Sequence, residues 1–171
     1  MRQDPIDFAT FYQEARDGCL RAVLVRVGDL EKAQDLVAEA FARAWARWRK
    51  VGKHPAPRAW VVRTALNAHT SWWRRRRREV AVDEPVLDQA GAEPADPVDP
   101  TIMAALRRLP DRQREVVALR IFLDLDTAGT AEVLGIRPGT VTAHLARAMA
   151  TLRDELTPSP TTGEPTCVTT T

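Results

Sequence analysis

The residue types that support catalysis or metal binding are sparse in this 171-residue sequence and too widely spaced to act together. Its three histidines are at positions 54, 69 and 144, and its two cysteines are Cys19 and Cys167. The sequence contains no H-x-x-x-H pair, no Gly-rich phosphate loop and no G-x-S-x-G nucleophile motif. We therefore predict a protein that is not an enzyme, that has no small-molecule substrate and that needs neither a metal nor a cofactor.

The chemistry that the sequence does offer is phosphate binding by cationic side chains beside aromatic rings. Trp72 and Trp73 precede five consecutive arginines, residues 74–78, at the end of a predicted helix. Guanidinium groups bind phosphates and indole rings stack on bases, so this segment fits contact with single-stranded nucleic acid. The same arginines also fit a solvated helix end that is favoured by the helix dipole, and this alternative stays open.

A second segment has the spacing of a helix-turn-helix. Residues 127–134 predict a short helix, Gly135 predicts a turn, and Pro138 begins a helix that continues to about Leu156. Small Ala131 allows the two helices to cross closely. The polar residues near the start of the second helix are expected to face outward, where such a helix reads the major groove of DNA. The alternative is a helical hairpin in a protein-binding module.

Charge divides the chain into three parts, although the net charge at pH 7 is only +2. Residues 1–78 contain 17 basic and 8 acidic side chains, residues 79–100 contain 7 acidic and no basic ones, and residues 101–171 contain 8 of each. This asymmetry favours a nucleic-acid partner. No apolar run approaches the roughly 18 residues that span a bilayer, and residues 1–20 lack a signal-peptide pattern, so we expect a cytoplasmic protein.

Apolar residues recur at helical spacing on both sides of the acidic segment, and the predicted fold class is all-α. Apolar residues recur at helical spacing within residues 6–26, 30–49 and 58–77, with Gly28 ending the first helix and Asp29 capping the second. The remaining predictions are two small helical domains at 1–78 and 101–157, an acidic, Pro-rich, flexible linker at 79–100, and a disordered tail at 158–171.

Three local features complete the expectations from periodicity. Trp45, Trp48 and Trp60 fall at helical spacing, and we predict that all three belong to the core. The Gly- and Pro-containing segment 51–57 predicts a loop. Gly129 weakens the first helix of the helix-turn-helix by up to about 1 kcal/mol of helix propensity.

The second helix carries an acidic stripe that is either a solvated face or a docking face for a basic partner. Its members are Asp29, Glu31, Asp35 and Glu39. The segment that contains them, DLEKAQDLVAEAFARAW at residues 29–45, resembles the polymerase-docking segment of extracytoplasmic-function (group IV) RNA polymerase sigma factors. Residues 57–67 resemble the same family's segment for the downstream promoter element, and residues 105–114 and 134–147 resemble its reader of the upstream element. The resemblance runs in the right order over residues 6–156.

The resemblance implies a bacterial transcription-initiation subunit that binds core RNA polymerase and promoter DNA, and whose family members are commonly held inactive by an anti-sigma factor. It implies that the second helix docks on the clamp of the largest polymerase subunit. The residues at the matching positions are Asp35, Leu36, Glu39 and Phe41. The acidic linker would then lie in a basic polymerase channel, and its 22 residues reach at most roughly 70–80 Å.

The resemblance also assigns two sets of residues that contact DNA. The loop after the second helix and the following helix would capture an unstacked base and hold the backbone of the downstream element. This set is Lys50, Lys53, His54, Arg58, Arg63, Asn67, Arg74, Arg75, Arg76, Arg77 and Arg78. The upstream-element set is Arg137, Thr140, Thr142, Ala143, His144 and Arg147. A helix-turn-helix regulator that binds DNA without polymerase is the alternative function, and a scaffold that binds only proteins is a third.

Overall fold

A computed structural model describes residues 7–79 and 97–157, except for the side chains of residues 72–79. These residues form α-helices, one π-helical turn and their connections, with no strand among them, so the all-α prediction is confirmed. The first half contains α1 (Phe8–Val27), α2 (Leu30–Ala46), α3 (Trp48–Val51) and α4 (Pro57–Glu79). The second half contains α5 (Pro100–Arg107), α6 (Asp111–Val117), the π-helical turn (Ala118–Phe122), α7 (Thr127–Leu134) and α8 (Pro138–Leu156).

The reversal between α1 and α2 is set by two adjacent residues. Gly28 has a φ of +77° and its amide donates to the carbonyl of Leu24 at 2.7 Å, which ends α1 in the left-handed conformation that glycine favours. The carboxylate of Asp29 accepts from the amide of Lys32 at 2.9 Å and caps α2. Both predictions at this turn are confirmed, and α2 is thereby folded back along α1.

Small side chains let α1, α2 and α4 approach one another closely. Ala15, Ala22, Ala33, Ala40 and Ala44 are all buried at the contacts between these helices. Rings fill the space at the start of α1 and the end of α2, where the members of the cluster are Phe8, Phe11, Tyr12, Phe41 and Trp48. The result is a compact helical layer that fixes the exposed faces of α2 and α4 relative to each other.

The prediction that three tryptophans belong to the core is correct for two of them. Trp48 and Trp60 are partly buried and pack against the core. Trp45 is 68% exposed, so its assignment to the core is wrong. It follows the buried Ala44 by one residue and therefore points about 100° away from it around the helix.

The helix-turn-helix is formed as predicted by α7 and α8. Gly135 makes the turn with a φ of +65°, and the amide of Ile136 donates to the carbonyl of Ala131 at 3.0 Å. Asp126 caps α7 by accepting from the amide of Gly129 at 2.6 Å, and a Cβ atom at position 129 would lie 3.1 Å from this carboxylate oxygen. The glycine therefore admits a close cap at the position where its helix propensity is unfavourable.

The hydrophobic core continues from the first half into the second. Leu106, Leu119 and Leu123 are buried in the same cluster as the residues of α1. The π-helical turn passes so close to α1 that a Cβ atom at Gly18 would lie 3.1 Å from the carbonyl oxygen of Phe122. We call this contact between α1 and the segment α5 to the π-helical turn the seam.

Polar contacts also cross the seam. Arg26 on α1 donates from Nη2 to Asp111 and from Nε to Glu115, each at 3.3 Å. Arg107 on α5 donates to the carbonyl of Gly28 at 2.8 Å. The two halves that were predicted as separate domains thus pack side by side.

Two sequence boundaries differ from the structure. The second helix was predicted to continue to residue 49. In the structure α2 ends three residues earlier, at Ala46, and a separate short helix follows. The end of the predicted linker belongs to the folded second half, since Val98 is buried and Asp99 caps α5 through the amide of Thr101 at 2.8 Å. The remainder of the linker after Glu79 and the predicted tail at 158–171 lie outside the described residues.

Candidate functional site

Three of the predicted docking residues line one groove between α2 and α4. Asp35 and Glu39 are exposed. Leu36, which lies between them in the sequence, is half-buried in the wall of the groove. Glu39 forms an ion pair with Arg43 one turn later, at 2.5 Å. Asn67 of α4 lines the same groove, which has a volume of about 590 Å³. The structure therefore brings a residue of the predicted downstream-element set next to the predicted docking residues.

Phe41 does not belong to this face. Only 3% of its surface is exposed, and its ring packs against Tyr12 at a centroid distance of 4.9 Å and against Phe11 at 5.9 Å. Phe41 is therefore placed in the core and not on the exposed face of α2, and its contact with the polymerase stays a prediction. Its ring packs α2 against α1.

Cations lie behind the acidic rim of the groove. His69 lines the groove on α4, and its pKa is lowered first by burial and then by the nearby charges of Lys32 and Arg26. A lowered pKa keeps this imidazole neutral at pH 7. The formal charges at the groove are therefore the carboxylates of α2 and the basic side chains beside them.

The predicted loop before α4 is an ordered turn held by consecutive hydrogen bonds. The amide of Gly52 donates to the carbonyl of Trp48 at 2.8 Å, and the amide of His54 donates to Val51 at 3.0 Å. The amide of Ala56 then donates to Nδ1 of the His54 ring at 3.0 Å. Val51 is buried, so the segment is anchored to the core although its outer side chains are exposed.

Close packing explains the glycine in this turn. A Cβ atom at Gly52 would lie 3.1–3.2 Å from atoms of Trp48, including two of its indole ring. The predicted loop at 51–57 therefore begins in the last residue of α3 and contains little freedom of its own.

The predicted downstream-element residues do not share a single surface. Lys50 is exposed on α3, and Lys53 and His54 are exposed on the turn that follows it. Arg63 and Asn67 are exposed one helical turn apart on the outer face of α4. Arg58 is exposed but lies about 180° around α4 from Asn67, so it does not share that face. The five arginines at 74–78 follow on α4, and their side chains lie outside the described residues.

The predicted upstream-element residues share one face of α8 only in part. Thr140, Ala143 and Arg147 are spaced at i, i+3 and i+7 and lie on one outward side, and Arg137 is exposed immediately before α8. Thr142 lies on another side and its hydroxyl donates to the carbonyl of Pro138 at 3.3 Å.

His144 borders the outward side of α8 and is half-buried. Its Nδ1 atom is buried without a hydrogen-bond partner among the described residues. Among the predicted upstream-element residues, Ala143 and His144 are half-buried, and the exposed members are Arg137, Thr140, Thr142 and Arg147.

Cys19 lies in the core and not at a reactive surface. It is completely buried, with Sγ 3.8 Å from the carbonyl oxygen of Arg58. Burial raises the pKa of its thiol to about 12, and the charge of Arg58 opposes this only weakly. A thiol with this pKa is not a nucleophile near pH 7. Cys167 lies outside the described residues.

The sequence did not predict two sets of contacts within the protein that hold its elements in place. The acceptor role of His54 and the seam pairs of Arg26 join residues that no periodic pattern connects.

Within residues 7–79 and 97–157 there is no cluster of His, Cys, Asp and Glu suited to a metal ion. The helices of that part of the chain are also too short or too polar to cross a membrane.

Comparisons with known proteins match both halves of the chain. A family model of Sigma-70 region 2 matches residues 11–79, and a model of Sigma-70 region 4 matches residues 101–152. The RNA polymerase sigma-E factor of Streptomyces coelicolor is 35% identical over 155 residues, covering 88% of this chain and 86% of the relative. The sigma factor SigW of Bacillus subtilis, which is described as an ECF RNA polymerase sigma factor, is 26% identical over 165 residues, covering 87% and 88%.

Solved structures include a chain with the same arrangement of helices. The sigma factor RpoE from Bartonella quintana, crystallised with the anti-sigma factor NepR, superposes with a TM-score of 0.67. The match covers 88% of this chain and 96% of that chain at 24% identity. This similarity concerns the fold.

Proposed function

The chain belongs to the extracytoplasmic-function group of the sigma-70 family of RNA polymerase sigma factors, and from this premise we propose how its exposed surfaces divide the work. As a sigma factor it binds core RNA polymerase and directs it to promoter DNA to initiate transcription. Our proposal assigns polymerase docking to α2, the downstream promoter element to the turn before α4 and the outer face of α4, and the upstream element to α8.

The groove between α2 and α4 is the observation that carries the docking assignment. Two exposed carboxylates, Asp35 and Glu39, flank the half-buried apolar side chain of Leu36 along one wall. Apolar contact at the centre of an interface with charges at its edge is the usual arrangement of a specific protein surface. The carboxylates would steer a basic partner surface onto the apolar contact.

Charge reversal in the groove tests the docking assignment. We expect Asp35→Arg with Glu39→Arg to reduce binding to core polymerase by at least about tenfold, because two attractive charges become repulsive. The matched control is Glu14→Arg with Asp17→Arg, which makes the same change in net charge at exposed positions of α1. Equal affinity of the groove variant and the wild type, with circular dichroism unchanged in both, would overturn the assignment.

The two proposed DNA surfaces are exposed while the halves are packed together, but they are too close to act on one promoter. Upstream and downstream elements are separated by roughly two turns of DNA, about 70 Å at 3.4 Å per base pair. A folded body of this size has a radius of gyration of only about 14 Å. We therefore propose that the seam opens when polymerase and promoter are bound, with the acidic linker joining the separated halves.

The outward face of α8 supports the upstream assignment. Arg137 and Arg147 are exposed on or beside this face, where they can hold phosphates while the smaller side chains approach the bases. We expect Arg137→Glu with Arg147→Glu to abolish run-off transcripts that depend on the upstream element. Arg153→Glu, at an exposed position near the end of α8, is the control. Unchanged transcript levels and footprints would remove α8 from the DNA contact.

The family suggests how the protein is regulated and where in the cell it acts. We propose that the protein acts in the cytoplasm, where polymerase and chromosome are, in a stress or envelope response, and that an anti-sigma factor holds it inactive. The similarity in fold to a sigma factor crystallised with an anti-sigma factor supports a search for such a partner. Affinity purification from cells before and after envelope stress tests this proposal, with loss of a bound protein on induction as the expected result.

A further inference from the structure

We propose that His54 is the positioning residue of the turn before α4 and serves it in a single tautomer. In this tautomer Nδ1 accepts from the amide of Ala56, and the Nε2–H group is presented to DNA as a hydrogen-bond donor. The inference rests on the proposed role of this turn in binding the downstream promoter element. It adds that the two ring nitrogens have different roles. Nδ1 stabilises the turn, and Nε2 recognises the base.

The backbone of the turn explains why a side-chain acceptor is needed at this point. The amides of Gly52 and His54 donate to carbonyls of α3, at 2.8 and 3.0 Å. The carbonyl of Ala56 accepts from the amide of Trp60, which begins the hydrogen bonding of α4. The amide of Ala56 falls between these two series, and Nδ1 of His54 accepts from it at 3.0 Å. The ring therefore joins the end of α3 to the start of α4.

Hydrogen-bond chemistry then fixes the other ring nitrogen. A nitrogen that accepts a hydrogen bond carries no proton, so the neutral imidazole bears its proton on Nε2. His54 is exposed, and Lys53 beside it is exposed as well. The turn consequently presents one N–H donor flanked by a cation, which is a suitable pair for a base and its adjacent phosphate.

The donor restricts which base atoms the turn can recognise. An N–H group pairs with the acceptor atoms of bases, such as O6 and N7 of guanine or O4 of thymine, and is repelled by exocyclic amino groups. Because the turn is already ordered by its hydrogen bonds and by the buried Val51, capture of a base requires little further ordering of the protein.

Three substitutions separate the two nitrogens. His54→Asn keeps an acceptor where Nδ1 lies, because asparagine forms the same bond to the amide two residues later, but it is too short to replace Nε2. His54→Gln places an amide near the position of Nε2 but lacks the nearby acceptor. His54→Ala removes both groups.

The first measurement is the exchange rate of the Ala56 amide proton in the free protein, followed by NMR. We expect His54→Asn to stay within about threefold of the wild type, and His54→Gln and His54→Ala to exchange about tenfold faster. Fast exchange in His54→Asn, or unchanged exchange in His54→Ala, would overturn the positioning role.

The second measurement is promoter opening by the polymerase holoenzyme on templates that carry each base at each position of the downstream element. We expect His54→Asn to keep polymerase affinity and to lose about five- to tenfold of the preference at one position. Retention of the full preference at every position would overturn the recognition role of Nε2.

The design separates this inference from the proposed function on which it rests. If His54→Asn and His54→Ala both open every template as the wild type does, and Lys50→Ala with Lys53→Ala does so too, then the turn does not contact DNA and the proposed downstream assignment fails. If the lysine variant is impaired but His54→Asn and His54→Ala both keep the wild-type base preference and the wild-type exchange rate of the Ala56 amide, the assignment stands and the two-nitrogen inference fails.

Discussion

Reversing the charge of Arg26 should open the seam. The guanidinium connects α1 to two carboxylates of α6, those of Asp111 and Glu115, each at 3.3 Å. In Arg26→Glu a third carboxylate faces these two across the seam. The apolar part of the seam is left unchanged, so the substitution tests what the charges contribute.

The magnitude follows from burial. At 3.3 Å one pair has a Coulomb energy of about 5 kcal/mol with an effective dielectric constant near 20, most of which is offset by desolvation. Exposed pairs contribute about 0.2–1 kcal/mol. The side chains of Arg26 and Glu115 are only 26% and 17% exposed, whereas that of Asp111 is 64% exposed, so the pair with Glu115 dominates. With the added repulsion we expect the packed state to lose about 2–3 kcal/mol, or roughly 30- to 150-fold in its population relative to the open state.

Single-molecule energy transfer between dyes on α1 and α8 measures this population. The dyes are attached at Glu14→Cys and Asp154→Cys, both exposed, in a chain that also carries Cys167→Ser. Arg26→Glu should add a long-distance population that Glu115→Arg in the same chain largely removes. Arg16→Glu, which breaks an exposed pair within α1, is the control. A distance distribution that is unchanged in Arg26→Glu would refute the argument that these charges hold the halves together.

Three further predictions concern stability and reactivity. Gly52→Ala should lower the free energy of unfolding in urea by about 1–3 kcal/mol because its Cβ atom meets an indole ring, whereas Gly139→Ala, which has open space, should change it by less than about 0.5 kcal/mol; equal values would contradict the packing argument. Asp126→Ala should cost about 1 kcal/mol through loss of the α7 cap, seen as faster amide exchange in α7. With Cys167→Ser in the background, Cys19 should resist maleimide at pH 7.5 until the protein is unfolded, and labelling of the folded protein within minutes would contradict its burial.

The sequence was sufficient wherever one local interaction decides the structure. Gly28 and Gly135 adopt the left-handed conformation at helix ends, and Asp29 caps the helix that it precedes. The bounds of α7 are those predicted, residues 127–134. In each case the decisive contact lies within four residues, so the pattern contains all the information needed.

Side chains near the edge of a buried stripe were predicted less well. Phe41 and Trp45 are one helical turn apart on α2, and the first is buried whereas the second is exposed. Phe8 and Phe11 of α1 contact both Phe41 and Trp48, so the direction in which each side chain points around α2 leaves Trp45 in solvent. Helical spacing alone does not contain this information, because it depends on where the rings of the neighbouring helix lie around α2.

The seam is a different kind of omission. Arg26 and Asp111 are 85 residues apart, and each is an ordinary polar residue in the pattern of its own helix. The acidic segment between them suggested two independent bodies, because a charged, Pro-rich connection imposes no contact between the parts that it joins. The fold shows that the apolar side of α1 packs against the other helices of its own half and also against the second half.

The core that crosses the seam affects how the protein can be divided in the laboratory. A fragment that ends at Glu79 would retain the groove and the turn before α4, but the strip of α1 around Gly18 would lose the backbone of the π-helical turn that covers it. Newly exposed apolar surface of this kind promotes self-association. Affinities measured on isolated halves would then report aggregation as well as recognition, and the smallest fragment that behaves as a single soluble species would be larger than either family region.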